Sequence, residues 1–139
     1  MKSLSVKLGV VLSGLFIFTY GEVWGADWKL YGFNNYSLLY YDAQSITRPS
    51  KNIVRVWEKF TYTEKGVMDT VGSLGKKYED LSHSINLDEI NCIEKMIHSL
   101  SGTYYDNGGG VIYTFSSRSE WDFIIPESLG ELLYKEICK

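Results

Sequence analysis

The stretch from Leu81 to Tyr105 constrains the fold more than any other part of the chain. It reads as two alternating runs about a short polar break, with Cys92 at the break. Successive strand residues point to opposite faces, so two such runs in tandem predict the central hairpin of an antiparallel sheet. In the first arm Leu81, His83, Ile85 and Leu87 share a face, with Ser82, Ser84, Asn86 and Asp88 on the other. In the second arm Met96, His98, Leu100 and Tyr104 stand together, opposite Lys95, Ser99, Ser101 and Thr103. A slip of one residue would turn every apolar side chain to water, which specifies the register strongly. A turn centred between Ile93 and Glu94 pairs His83 with Tyr104 and Glu89 with His98.

The only other cysteine is Cys138, one residue from the C-terminal Lys139. Its relation to Cys92 depends on the compartment, which the N-terminus addresses. Lys2 and Lys7 precede an apolar run from Leu8 to Tyr20, and Val23 to Ala26 then offers small residues for a peptidase. This is the pattern of a signal peptide over residues 1–25. A run of thirteen residues is short of the ~20 that a membrane-spanning helix needs. No cysteine lies near the cut, so the mature chain is expected to be periplasmic, secreted or at the cell surface, and not a lipoprotein. Export places the thiols in an oxidising compartment, and two cysteines there point to one disulfide, Cys92 to Cys138. The rival readings are a redox pair or two metal thiolates. There is no Cys-x-x-Cys, and two isolated cysteines are half a zinc site at best.

Residues 26–139 read as one domain, with no repeat, linker or low-complexity tract. Short strands are expected at Trp28–Tyr31, Ser37–Asp42 and Ile46–Arg48. Ile53–Thr63 is the clearest strand of the first half: Val54, Val56, Glu58, Phe60 and Tyr62 share one face, and Ile53, Arg55, Trp57, Lys59 and Thr61 the other. Val67, Val71 and Leu74 recur at helical spacing, although Gly66, Gly72 and Gly75 weaken that helix. Asp106 to Gly110 is a hairpin turn, followed by a last strand at Val111–Ser117 and an extended link at Trp121–Ile125. Ser128 and Glu131 form a capping box, and Leu129, Leu132, Leu133, Ile137 and Cys138 make an apolar stripe behind it. The expected fold is α+β: a curved antiparallel sheet of about six strands with a C-terminal helix packed on it.

Candidate chemistry is sparse. His83 and His98 would need a third ligand, such as Asp88 or Glu89, to hold a metal, and the register keeps them apart. Asp88 and Glu89 are neighbours in a strand and point to opposite faces, so they cannot act as a carboxylate pair; they read as solvated strand-edge charges. Asp106-Asn107-Gly108 lacks the later bidentate glutamate of a calcium loop. No serine sits in a Gly-x-Ser-x-Gly elbow. No catalytic residue, cofactor or metal site is therefore expected, and the chain does not read as an enzyme. Loss of Lys2, Lys7 and Glu22 with the signal peptide makes the net charge of −3 one unit more negative, which argues against a nucleic-acid partner.

The aromatic residues carry more information. Tyr40 and Tyr41 point to opposite faces, as do Tyr104 and Tyr105, so each sheet face receives aromatic side chains. One set belongs to the core; the other packs under a helix or subunit or meets a partner. Tyr41, Arg55, Trp57 and Tyr105 are the candidate binding surface, because tyrosine, tryptophan and arginine are enriched at interfaces.

The order of the pieces carries a family likeness: Tyr40-Tyr41-Asp42 with Ser45-Ile46, Val54-Arg55-Val56-Trp57 with Lys59, Glu89-Ile90-Asn91-Cys92, Tyr104-Tyr105-Asp106, then Trp121, Ile125-Pro126, Ser128 and Cys138. The chain resembles the surface-adhesin protein E family of small exported bacterial proteins over nearly all of its mature length. The resemblance implies the same sheet-and-helix fold, a disulfide, a tendency to form homodimers, and binding to host proteins such as vitronectin, laminin and plasminogen. The family's adhesin is lipid-anchored, whereas this chain has no lipidation cysteine, and no binding residue is carried over. The expectation is an exported envelope protein acting as a protein-binding, adhesin-like module through a sheet face or edge. A small-ligand- or metal-binding periplasmic protein, or a structural envelope component without catalysis, is the alternative.

Overall fold

The computed structural model describes residues 25–139. The expected signal peptide, residues 1–25, lies outside the described residues but for Gly25. Eight antiparallel strands form one sheet: β1 (Trp28–Phe33), β2 (Ser37–Asp42), β3 (Thr47–Ser50), β4 (Ile53–Tyr62), β5 (Leu81–Asn91), β6 (Met96–Asp106), β7 (Val111–Phe115) and β8 (Asp122–Phe123). Six of them run side by side in the order β1-β2-β4-β5-β6-β7. The two short strands lengthen its borders, β3 on β4 and β8 on β6. β1 and β7 do not pair, so the sheet is open.

The ambiguous segment after β4 is helical: α1 spans Glu64–Leu74. Thr63 caps it by accepting from the Gly66 backbone N–H at 3.1 Å. Gly66 reflects close packing rather than fraying, since a Cβ there would stand 2.0 Å from the carbonyl oxygen of Tyr36. The C-terminal helix α2 spans Leu129–Ile137. Ser128 Oγ accepts from Glu131 N, and the Glu131 carboxylate reaches back to Glu127 N, one residue before the cap. Leu133 and Ile137 enter the core formed by Val54, Val56, Ile90 and Ile124. Each side chain of this size contributes roughly 2 kcal/mol on burial. Cys92 and Cys138 are bonded, tying the β5–β6 turn to the end of α2, and Tyr134 OH donates to the Cys92 carbonyl at 3.2 Å.

The hairpin forms at the expected place, with Glu89 opposite His98. Two details differ. Leu87 pairs with Ser101 while Asp88 pairs with Ser99, so Leu100 is an extra residue in β6. This bulge shifts the register beyond it by one, and His83 pairs with Tyr105 instead of Tyr104. It also puts His98 and Tyr104 on opposite faces. The second difference concerns the first arm. Ser84, Asp88 and Ile90 are on the face of Val56 and Val54, under the helices, while Ile85 and Leu87 are on the other. Polar residues take the inner face because partners meet them there. Ser84 bonds Tyr62 OH at 3.0 Å, and Ser99 Oγ donates to Asp88 at 2.7 Å.

Candidate functional site

Cross-strand partners share a face, so the register sorts the candidate residues. Tyr41 pairs with Glu58 and lies on the helix-covered face, packed against the core, with its hydroxyl 3.4 Å from Glu136 of α2. Burial, and then the Glu136 carboxylate, raise the Tyr41 pKa. Arg55, Trp57 and Tyr105 lie on the opposite, helix-free face. Three of the four residues are thus brought to one surface and Tyr41 is not.

At one end of that surface Arg55, Glu89 and His98 form a linked cluster. Arg55 Nε and Nη2 both donate to Glu89 Oε2, at 3.0 and 2.8 Å. His98 Nε2 meets Glu89 Oε1 at 2.7 Å, and His98 Nδ1 meets the Ser119 carbonyl at 3.2 Å. Trp121 stacks on the imidazole at 3.7 Å between ring centroids. Burial alone would raise the Glu89 pKa, but the bonds from His98 and Arg55 outweigh it and hold the carboxyl below its ordinary range. Asp88, on the other face, lacks such a cation contact, and burial lifts it to about 6. Glu89 and Asp88 are 5% and 6% exposed, so the expectation of solvated edge charges is corrected. β5 is an interior strand, and the Ser119–Trp121 segment crosses over the cluster. Sequence alternation missed Trp121 because its approach is tertiary, after the last long strand.

A hollow lies on the same face. Trp28, Asp42, Trp57, Ile85, Thr103 and Tyr105 line it, and its volume is about 290 Å³. Trp28 is on β1 and Tyr105 on β6, four strand spacings apart; on a flat sheet that is roughly 19 Å at ~4.8 Å per strand. Both line one hollow because a sheet that curls towards this face brings their side chains together. Curling also explains why Ile85 and Leu87 are half-buried without a helix above them. His83 stacks on Tyr105 at 4.9 Å, and Lys59 Nζ stands 5.7 Å over the Trp28 ring, so both aromatic walls are held in place. Trp28 carried no signal as a site residue, because only the curvature brings it near Tyr105.

The two histidines are held by different neighbours, His83 by Ser82 and Tyr105, His98 by Glu89 and Trp121. Among the described residues no three His, Cys, Asp or Glu side chains are grouped to hold a metal ion. Among those residues, too, no helix is long and apolar enough to cross a membrane.

The model of one protein family, described as surface-adhesin protein E, matches residues 28–139. No curated protein and no solved structure matches the chain. The matched span takes in every strand and both helices, and the chain belongs to the surface-adhesin protein E family. Membership supports a surface, adhesin-like role, in which the chain binds other molecules.

Proposed function

We propose that this member of the surface-adhesin protein E family is an exported envelope protein that binds a partner macromolecule through the helix-free face of its sheet. The observation that carries the reading is the curled, aromatic-lined surface of Trp28, Trp57 and Tyr105, flanked by Arg55. Contiguous aromatic surface left accessible on a sheet face marks interaction sites more often than singly exposed residues do. Trp57 is 37% exposed, although its strand lies inside the sheet. Cleavage after a signal peptide at residues 1–25 delivers the domain to the periplasm or cell surface, without a lipid anchor.

The partner is best taken as a protein or a glycoprotein, with Trp57 and Tyr105 as the anchors. Immobilised protein is incubated with extracellular-matrix and envelope fractions, beside a Trp57→Ala/Tyr105→Ala variant and a Tyr41→Phe control. The expected result is a partner retained by wild type and by the control and lost by the double variant. Capture that is equal for all three refutes the face assignment. Among the described residues the outer edges of β1 and β7 pair with no strand and offer a second copy places to add strands, which supports a homodimer. Light scattering tests it: a strict monomer at high concentration removes that part.

A further inference from the structure

We infer that the hollow between Trp28, Trp57 and Tyr105 is a sugar subsite, taking one ring of an uncharged glycan. The inference deepens the binding function proposed above and rests on it.

Size sets the first limit. A volume of about 290 Å³ stands at the lower end for ligand pockets, which begin near ~300 Å³. It admits one ring-sized group, and neither a helix nor a folded loop enters it. The walls set the second. Two indoles, a phenol and Ile85 present flat apolar surface to whatever enters.

Charge decides among the ligands that remain. Lys59 Nζ already occupies the face of Trp28, the position a ligand cation would need for a cation–π contact. A cationic ligand would meet that ammonium, and an anionic one would meet the Asp42 carboxylate. Asp42 Oδ1 accepts from the backbone N–H groups of Asp27 and Gln44 at 2.9 and 3.1 Å. No hydrogen bond from the described residues engages Oδ2, although Asp42 is only 9% exposed and lines the hollow. A hydrocarbon chain or an aromatic side chain from a peptide would cover that oxygen without bonding it, at the desolvation cost of an unmet acceptor. The remaining class is uncharged, has one apolar ring face to lie on an indole, and carries hydroxyl groups at its edge to donate to Asp42. A pyranose combines all three.

The test follows the tryptophan indole N–H signals by NMR as the purified protein is titrated. The probes are the methyl glycosides of glucose, galactose, mannose and N-acetylglucosamine, each to about 100 mM. Tetramethylammonium chloride and cyclohexanol serve as the cationic and apolar controls. The expected result is that at least one glycoside shifts the Trp28 and Trp57 signals while Trp121 stays still. Trp57→Ala should weaken that binding by about tenfold or more, and Trp57→Phe by less, since a smaller ring face remains. Far-ultraviolet circular dichroism establishes that both variants are folded. Silence of all the glycosides overturns the inference. So do shifts from tetramethylammonium or cyclohexanol without a glycoside, or shifts of Trp121 as large as those of the other two. If the glycosides are silent while the Trp57→Ala/Tyr105→Ala variant still loses its captured partner, the subsite falls and the binding face stands. If that variant retains the partner as well, both fall.

Discussion

Replacing Asp88 by asparagine separates the cost of a buried charge from the value of its hydrogen bond. The folded carboxyl titrates at about 6 and the reference value is 3.8, so the native state holds the proton more tightly than the unfolded chain. Below about pH 3 both states are protonated and the residue contributes its full stability. As pH rises, the unfolded state ionises first, and stability is lost until the folded carboxyl has ionised as well, above about pH 6. A difference of about two units, at 1.36 kcal/mol each, makes that loss about 3 kcal/mol. Asparagine keeps an oxygen for the Ser99 hydroxyl, which donates at 2.7 Å, and it does not ionise. The assay is urea denaturation followed by tryptophan fluorescence, on both proteins, from about pH 3 to about pH 7. Subtracting the two profiles removes the other titrating groups, since the remaining carboxyls and both histidines are common to the pair. The stability of Asp88→Asn relative to wild type should climb by about 3 kcal/mol over that range. A flat difference refutes the burial argument. A difference that falls with rising pH refutes it more strongly, because it would mean that the fold stabilises the Asp88 charge.

Three further perturbations probe other parts of the structure. Glu89→Gln leaves Arg55 and His98 without their shared carboxylate; it should cost about 3 kcal/mol near neutral pH, as for other broken buried pairs, and alter Trp121 fluorescence. Because the fold depresses the Glu89 pKa, this cost should shrink as pH falls through the carboxylate range, and a cost that persists at acid pH would contradict the ion-pair reading. The double variant Cys92→Ser/Cys138→Ser opens a loop with a sequence separation of 46; it should lower denaturation stability by about 4 kcal/mol if loop entropy dominates. Gly66→Ala should destabilise by about 2 kcal/mol or more, because its Cβ meets backbone that cannot move aside, whereas Gly72→Ala, with open space around it, should be neutral or stabilising by thermal melting.

What the sequence reveals follows from how local each determinant is. The two faces of β4 can be read directly, since Val54 and Val56 are buried and Trp57 is exposed as the alternation predicts. The start of α2 is legible in Ser128 and Glu131, because a helix cap is made by residues adjacent in the chain. The hairpin is legible near its turn and loses register at Leu100, because a bulge leaves no mark in an alternating pattern. The inner face of β5 is misread for a related reason: Ser84 and Asp88 look like surface residues until Tyr62 and Ser99 are seen to bond them. Trp57 and Tyr105 are legible as a surface, but their joining with Trp28 is not. That depends on sheet curvature, which accumulates over strands that are distant in sequence.

The bond between Cys92 and Cys138 also sets how the domain bears tension. A pull applied beyond Cys138 passes through the two sulfurs into the turn of the β5–β6 hairpin. It bypasses β6, β7, β8 and α2, which lie within the closed loop. Those elements are not pulled along their own length while the bond is intact, and the force falls on the interior strand β5 and its pairing with β4 and β6. Reduction would release the sequestered separation of 46, adding roughly 150 Å of extensible chain at ~3.3 Å per residue. The state of that one bond therefore sets how much chain can be drawn out from the C-terminal end.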